Sequence, residues 1–258
     1  MSKKVVILFS PGLDSFLGDW ISKKTFNNGE EIEKVYVDIN SRYSQFEIDF
    51  LTKWYDNQIK ILPGPDMSKL ETESAFVPNR NAILACVAQA YTSADIIIFN
   101  ATFDDRVSDG SVEFRGSLSE VLTISNKRYI SVKSLLKDKE KSKHVEEFIQ
   151  ENPEKRLDLL NKTYSCFNSD LFECCDVPYF KRNSNENSYT EEGKTIMYGC
   201  MSCAACYRRL CALTAANIYV PFYDQKIIDE YMKKDVDKEI YPNRYKTMLN
   251  YYNFVNSI

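Results

Sequence analysis

Apolar positions follow two alternating patterns over the first 150 residues. Residues 4–9 (KVVILF) form an unbroken apolar, largely β-branched run, which suits a strand buried on both faces, as in a parallel sheet. The run stops at Ser10-Pro11-Gly12, where Asp14-Ser15 offers a cap for a helix over Phe16 to Lys24. Residues 34–39 (KVYVDI) predict a second strand. Phe46, Phe50, Leu51 and Trp54 take helical spacing within Phe46 to Asn57, residues 59–62 predict a third strand, and Pro63-Gly64-Pro65 breaks the chain. An alanine-rich helix, Asn81 to Ala94, leads into an apolar strand, Ile96 to Phe99. A helix over Glu113–Ser125, a strand over Tyr129–Val132 and a helix over Ser142–Gln150 complete the series.

Strand–helix alternation of this kind predicts an α/β fold with a doubly wound, mostly parallel sheet. Ligands of such sheets bind beyond the carboxyl ends of the strands, where strand order reverses. The loop after the first strand is therefore the first place to look for chemistry. Beyond residue 155 the pattern changes. Residues 181–195 are polar and read as an exposed loop, while residues 203–217, Asp224–Lys234 and Arg244–Val255 predict helices.

Composition narrows the function classes. The chain has 258 residues, 44% hydrophobic and 27% charged, which excludes a disordered or fibrous protein. A net charge of −4 is wrong for a general nucleic-acid coat, so direct nucleic-acid binding is not expected. The single histidine excludes a two-histidine zinc-protease helix and a three-histidine zinc centre. The short apolar start ends at a Pro-Gly turn with no cleavage site, and no run reaches the length of a membrane span. The expected location is the cytoplasm, without membrane attachment. Thiols stay reduced there, so clustered cysteines read as metal ligands before disulfides.

Two constellations carry chemistry. In Ser10-Pro11-Gly12-Leu13-Asp14-Ser15 a buried strand feeds a helix N-terminus, an arrangement that binds anions through backbone N–H groups. Gly12 permits close approach, Ser10 and Ser15 add hydroxyls, and Pro11 removes one N–H. Neither GxxxxGKS/T nor GxGxxG is present. The plainer reading of the same six residues is a capped helix after a tight turn. The second constellation is Cys200-x2-Cys203-x2-Cys206, with a fourth thiol available at Cys166 and competitors at Cys174 and Cys175. Four thiolates close a tetrahedral zinc site, which is structural because no position stays open. An iron–sulfur cluster and a set of metal-free thiols are the rival readings. Cys86 and Cys211 read as core thiols, His144 as a helix surface residue, and the C-terminal tyrosines (Tyr241, Tyr245, Tyr251, Tyr252) as packing.

SPGLDS at 10–15 resembles the SGGxDS loop of the N-type ATP pyrophosphatases, with Pro11 in place of the second glycine. Further along, Tyr43-Ser44-Gln45 with Glu47 is similar to a YGQxxxE segment, and Val77-Pro78-Asn79-Arg80-Asn81 to VPGRN. Ile96–Asn100 with Asp104 or Asp105 resembles a strand and acidic loop, and Ser142-Lys143 a Thr-Lys helix start. Thr163–Cys166 and Gly199–Arg208 resemble a zinc-ligand set. In this order the segments resemble the 7-cyano-7-deazaguanine synthase family over most of residues 4–210. The stretch from Arg106 to Phe114 departs most from that family: Asp109, Glu113 and Phe114 match, while its tyrosine, proline, cysteine and arginine are replaced.

The resemblance implies an adenine nucleotide alpha hydrolase-like domain over 1–155, with a zinc-binding, helical region over 156–258 packed on it. It implies a ligase that uses ATP and ammonia to convert 7-carboxy-7-deazaguanine into the nitrile through adenylated intermediates. Ser10, Gly12, Leu13, Asp14 and Ser15 would hold ATP, with Asp14 also meeting Mg2+. Arg80 and Lys143 would neutralise the leaving pyrophosphate; Tyr43, Gln45 and Asp109 would meet the deazapurine. Cys166, Cys200, Cys203 and Cys206 would bind structural Zn2+, and a homodimer is plausible by the same resemblance. The alternatives are an adenylating enzyme that modifies a macromolecule or stops at the amide, and a non-catalytic zinc-stapled binding module. Arg80 has a bland reading as a surface partner of Glu71 or Glu73, and Lys143 as part of a solvated charged run.

Overall fold

In the computed structural model, residues 2–73, 75–105, 108–166, 175–183, 188–197, 199–222 and 224–258 are described. Cys174 and the Arg106-Val107 pair singled out above lie outside them. The chain divides into two compact units, Met1–Asp138 and Lys139–Ile258.

The first unit is built on five strands: β1 (Lys4–Leu8), β2 (Glu31–Asp38), β3 (Ile59–Pro63), β4 (Ile96–Ile98) and β5 (Ser131–Lys133). All pairings are parallel, in the order β3-β2-β1-β4-β5. Helices α1 (Leu13–Thr25), α2 (Ser44–Tyr55), α3 (Arg80–Thr92) and α4 (Val112–Asn126) make the crossovers. This is the open, doubly wound parallel sheet that the strand–helix alternation predicts. The apolar run of β1 lies at its centre, with Val5, Val6 and Ile7 fully buried. The small face of α3, Ala85 and Ala88, shares a core with Val6, Val35 and Ile97. Small side chains let that helix lie close against the branched side chains of the sheet.

Topology places the site. The chain lays β2 and β3 on one side of β1, then returns to lay β4 and β5 on the other. The loops leaving β1 and β4 therefore part in opposite directions at the carboxyl ends of those two strands, the place where ligands bind in sheets of this kind. Gly64, after β3, is required by a close approach: a Cβ there would stand 2.6 Å from the Asp38 carbonyl, which the Gly64 N–H bonds at 2.7 Å.

The second unit holds α5 (Lys141–Glu151), α6 (Asp158–Asn161), β6 (Cys175–Arg182), β7 (Tyr189–Met197), α7 (Ala204–Leu213), α8 (Gln225–Met232), α9 (Asp235–Glu239) and α10 (Pro242–Val255). The division falls ahead of α5, which the sequence pattern groups with the sheet, because α5 packs against α7 and α10. Glu140 reinforces that packing: its carboxylate accepts from the N–H groups of Asn243 (3.4 Å) and Arg244 (2.7 Å) and from Asn243 Nδ2 (2.6 Å). It thereby serves the donors left open at the start of α10.

One expectation is overturned here. Residues 181–195 do not form an exposed loop throughout. Of the described residues among them, 181–182 and 189–195 lie in an antiparallel ribbon of β6 and β7, with Val177 opposite Thr195, Arg182 opposite Tyr189 and a bulge at Tyr179/Phe180. Their polarity is that of an outward face, while the aromatic residues pack inward. Phe180 stacks on Phe254 (5.4 Å between ring centroids), and Tyr189 meets Phe254 (4.8 Å) and Tyr219 (4.9 Å). Tyr251 is fully buried in the same aromatic cluster and donates its hydroxyl to the Val220 carbonyl. Among the described residues no helix is long and apolar enough to cross a membrane.

Candidate functional site

The loop after β1 turns directly into a helix. Gly12, in extended conformation, is the N-cap of α1, and the first intrahelical bond runs from Phe16 N–H to the Gly12 carbonyl at 3.2 Å. The helix thus starts at Leu13, three residues earlier than its apolar pattern predicts, and Asp14 and Ser15 lie in its first turn rather than capping it. The N–H groups of Leu13, Asp14 and Ser15 precede that first bond, so they face out of the helix end. The Ser15 hydroxyl accepts from the Ser10 N–H (3.0 Å), and the two serine hydroxyls stand 3.3 Å apart. Strand end and helix start are thereby tied into one concave turn, with Asp14 half-buried on it.

Asn100 lies two residues past the end of β4. Its amide oxygen and nitrogen are both enclosed, as is the hydroxyl of Thr102, and none has a hydrogen-bond partner among the described residues. Enclosed polar atoms without partners are uncommon in folded proteins and point to a missing polar group or water. Asn100 rests on α1 where Gly18 leaves room: a Cβ on Gly18 would lie 2.0 Å from Asn100 Nδ2. Gly18→Ala therefore displaces Asn100 and destabilises the protein by about 1–3 kcal/mol, which a urea midpoint measures directly.

A second cluster gathers beside the carboxyl end of β2. Arg80 opens α3 after Asn79 in left-handed conformation (φ 57°). It donates Nη1 to the Tyr43 hydroxyl at 3.2 Å, and the Asp109 charge acts on it. Asp109 sits in the turn Ser108–Gly110, whose backbone is pinned by Asn81 Nδ2 to the Asp109 carbonyl (3.3 Å) and by Arg115 Nη1 to the Gly110 carbonyl (2.6 Å). Tyr43, Arg80 and Asp109 are thus brought together. The bland pairing of Arg80 with Glu71 is not what forms; Arg42 takes Glu71 instead, at 2.9 Å. Gln45 points elsewhere, donating to Asp49 at 2.8 Å. It helps line a polar cleft of about 510 Å³ with Asp38, Asn40, Ser41, Ser44 and Glu71.

Two members of this cluster have no local sequence signal beyond the quoted segment. Glu47, in the first turn of α2, accepts a hydrogen bond from the Tyr36 hydroxyl at 2.8 Å. Burial pushes its carboxyl up to about 7, against the pull of that bond and of the Arg80 charge. Tyr36 itself is buried in β2 and held neutral by its burial. Lys143 belongs to the second unit, in the first turn of α5, where its Nζ pairs with Glu146 at 2.7 Å.

The second unit carries the thiol cluster. The sulfur atoms of Cys166, Cys200, Cys203 and Cys206 all lie within 4.8 Å of one another. The Cys200 N–H donates to Cys166 Sγ (3.3 Å), and Cys203 is the N-cap of α7, its Sγ accepting from the Cys206 N–H (3.5 Å). Gly199 has φ +121°, and a Cβ there would meet Cys206 Sγ at 3.1 Å and the Cys166 Cβ at 3.3 Å, so the tight turn into the cluster depends on it. Arg209, rather than Arg208, is turned inward: it is buried, and its Nε donates to the Thr163 hydroxyl at 2.8 Å, tying α7 to the segment that ends in Cys166. Four sulfurs at such spacing fit one tetrahedral ion, whose thiolates stand roughly 3.8 Å apart given bonds of about 2.3 Å. The cluster is therefore compatible with a metal site.

Two side chains depart from expectation and a third meets it. Cys86 is exposed on α3 rather than in the core. His144 is buried rather than on a helix surface, because α5 packs that face inward. Cys211 is buried as expected, and burial raises its thiol to about 12.

The sequence model of the family described as queuosine biosynthesis protein QueC matches residues 51–217. A 7-cyano-7-deazaguanine synthase from Pyrococcus furiosus is 27% identical over 243 aligned residues, spanning 81% of this chain and 91% of the relative. A 7-cyano-7-deazaguanine synthase from Carboxydothermus hydrogenoformans is 27% identical over 171 residues, 54% of this chain and 80% of its own. Among solved structures, the U34-tRNA thiolase NcsA from Methanococcus maripaludis, which carries a 4Fe–4S cluster, is similar with a TM-score of 0.42. It is 13% identical, over 100% of this chain and 74% of the thiolase. A predicted tRNA methyltransferase subunit from Methanocaldococcus jannaschii is similar with a TM-score of 0.38 and 18% identity, over 53% of this chain and 68% of its own. The family model spans well over half of the chain, from α2 through the thiol cluster, and the chain belongs to the QueC family.

Proposed function

We propose that this protein is a ligase that uses ATP and ammonia to convert 7-carboxy-7-deazaguanine into 7-cyano-7-deazaguanine. The observation that carries the reading is the pairing of QueC-family membership with a strand-to-helix turn at the centre of the sheet, whose leading N–H groups suit an anion.

A carboxylate resists attack by ammonia because its leaving group would be oxide. ATP, when bound, supplies an adenylyl group that turns that oxygen into a good leaving group. It does so once for the acid and once for the amide on the way to the nitrile. The residues present fit this nucleotide: N–H groups at Leu13–Ser15 ahead of the first intrahelical bond, a glycine that admits close approach, two serine hydroxyls, and enclosed polar atoms of Asn100 and Thr102 that have no partner among the described residues. Ser10, Gly12, Leu13 and Ser15 hold phosphate oxygens through these donors. Asp14, a hard oxygen ligand, orients Mg2+. Pro11 costs one donor relative to a double-glycine loop, and the Ser10–Ser15 tie compensates by fixing the hydroxyls in place. Arg80 offers its guanidinium to developing negative charge. Asp109, fixed through its backbone, accepts the adjacent N–H donors of a guanine-like edge, and Tyr43 borders the same side; Gln45 lines the separate polar cleft instead.

The four thiolates hold one Zn2+ in this reading. Each cysteine of a four-iron cluster ligates a different iron and stands farther from its fellows, so sulfurs within 4.8 Å of one another favour a single ion.

Incubation with ATP, Mg2+, ammonium and 7-carboxy-7-deazaguanine tests the proposal. AMP and pyrophosphate should accumulate as the ultraviolet spectrum shifts to that of the nitrile. An amide end product would reassign the final step, and no AMP with unchanged substrate would end the reading.

A further inference from the structure

The cluster beside β2 contains a carboxyl group that the nucleotide-binding reading leaves without a task. Glu47 projects from the first turn of α2 into the space bounded by β2 and the start of α3. Among the described residues its one side-chain hydrogen bond comes from Tyr36, at 2.8 Å. The charged and titratable groups around it are Tyr36 on β2, Arg80 on α3 and Tyr43 at the α2 N-cap; Asp38, Glu71 and Asp109 act on these in turn. Arg80 acts on Glu47 through space rather than in an ion pair, so the carboxyl is not consumed as a structural counter-ion. A half-buried carboxyl supported by one neutral donor changes protonation state at little structural cost.

The proposed reaction has a step that needs such a group. Ammonium carries no lone pair and must lose a proton before its nitrogen can attack. We propose that Glu47, oriented by the Tyr36 hydroxyl, is the base that delivers ammonia to the adenylated substrate; this rests on the function proposed above. The Glu47 carboxylate takes one proton from ammonium. The freed lone pair forms the C–N bond to the acyl carbon, and the bond from that carbon to the adenylate oxygen breaks, AMP leaving with the electron pair. The second nitrogen proton passes to solvent as the amide forms. Arg80, assigned to leaving charge, acts on Glu47, and Asp109, assigned to the deazapurine, acts on Arg80 in turn.

Glu47→Gln keeps shape and the Tyr36 contact but cannot accept the proton. Ammonia-dependent turnover at pH 7.5 should fall about 100-fold. The acid limb of the pH profile, set near pH 7 in the native protein, should disappear. Pyrophosphate release measured without ammonia should fall much less. Thermal melting checks folding. The raised carboxyl pKa means native Glu47 contributes stability below about pH 4.5 that is lost as pH rises through about 7, so Glu47→Gln should melt higher than the native protein at pH 8. Tyr36→Phe, which removes only the orienting donor, should shift the acid limb without abolishing turnover. A Glu47→Gln protein that keeps native turnover and an unchanged pH profile overturns the proposal. Absence of AMP from the native protein overturns the ligase reading instead.

Discussion

Asp14→Ala should reduce AMP formation by about a thousandfold while leaving the fold intact. Two magnitudes set this expectation. An acidic side chain in the first turn of a helix contributes only about 0.3–1 kcal/mol to stability through the helix dipole, and Asp14 is half-buried on a turn already tied by Ser10 and Ser15. Losing a group that organises charge in a phosphoryl-type transition state costs about 3–4 kcal/mol of barrier, two to three powers of ten in rate. The chemical effect outweighs the structural one, so activity and stability should separate. Asp14→Asn, which keeps size but not charge, should fall nearly as far. A quenched-flow or coupled AMP assay beside a urea melt reads both quantities. Loss of stability without loss of rate per folded molecule would remove Asp14 from the site.

Cys203→Ser should have the largest structural effect in the chain. Cys166 and Cys200 are far apart in sequence, and their thiols are gathered with those of Cys203 and Cys206 within 4.8 Å. Structural zinc binding by zinc-finger peptides is worth about 10–16 kcal/mol at neutral pH, comparable to or larger than the whole stability of a domain, about 5–15 kcal/mol. Removing a thiolate from α7's N-cap position therefore costs the metal and much of the second unit's order. Metal analysis should find about one zinc per native chain and far less in the variant, with protease cleavage appearing between Cys166 and Cys200. A well-folded native protein without metal would contradict this account of the cluster.

The first unit was largely legible in the sequence because its signals are local. A β-branched run such as KVVILF can hardly be anything but a buried strand, and Pro-Gly turns mark its ends. The Cys-x2-Cys-x2-Cys spacing was legible for the same reason. Relations between distant residues were not. Nothing local says that Tyr36 on β2 reaches Glu47 on α2, or that Arg80 chooses Tyr43 over Glu71; those partners are set when the sheet assembles. The β6–β7 ribbon was hidden because its outward face is as polar as a loop, and its inward aromatics find partners in α10, more than 60 residues away. His144 and Cys86 exchanged places with expectation because burial depends on which helix face meets a neighbour. Periodicity leaves that open on a short helix.

The central claim is that the triphosphate of ATP lies on the turn between β1 and α1. A crystal structure with Mg2+ and a non-hydrolysable ATP analogue tests it most directly. The account predicts phosphate oxygens within hydrogen-bonding distance of the Leu13–Ser15 N–H groups and the Ser10 and Ser15 hydroxyls, with the metal on Asp14. Nucleotide bound at full occupancy elsewhere, with that turn unchanged, would contradict it.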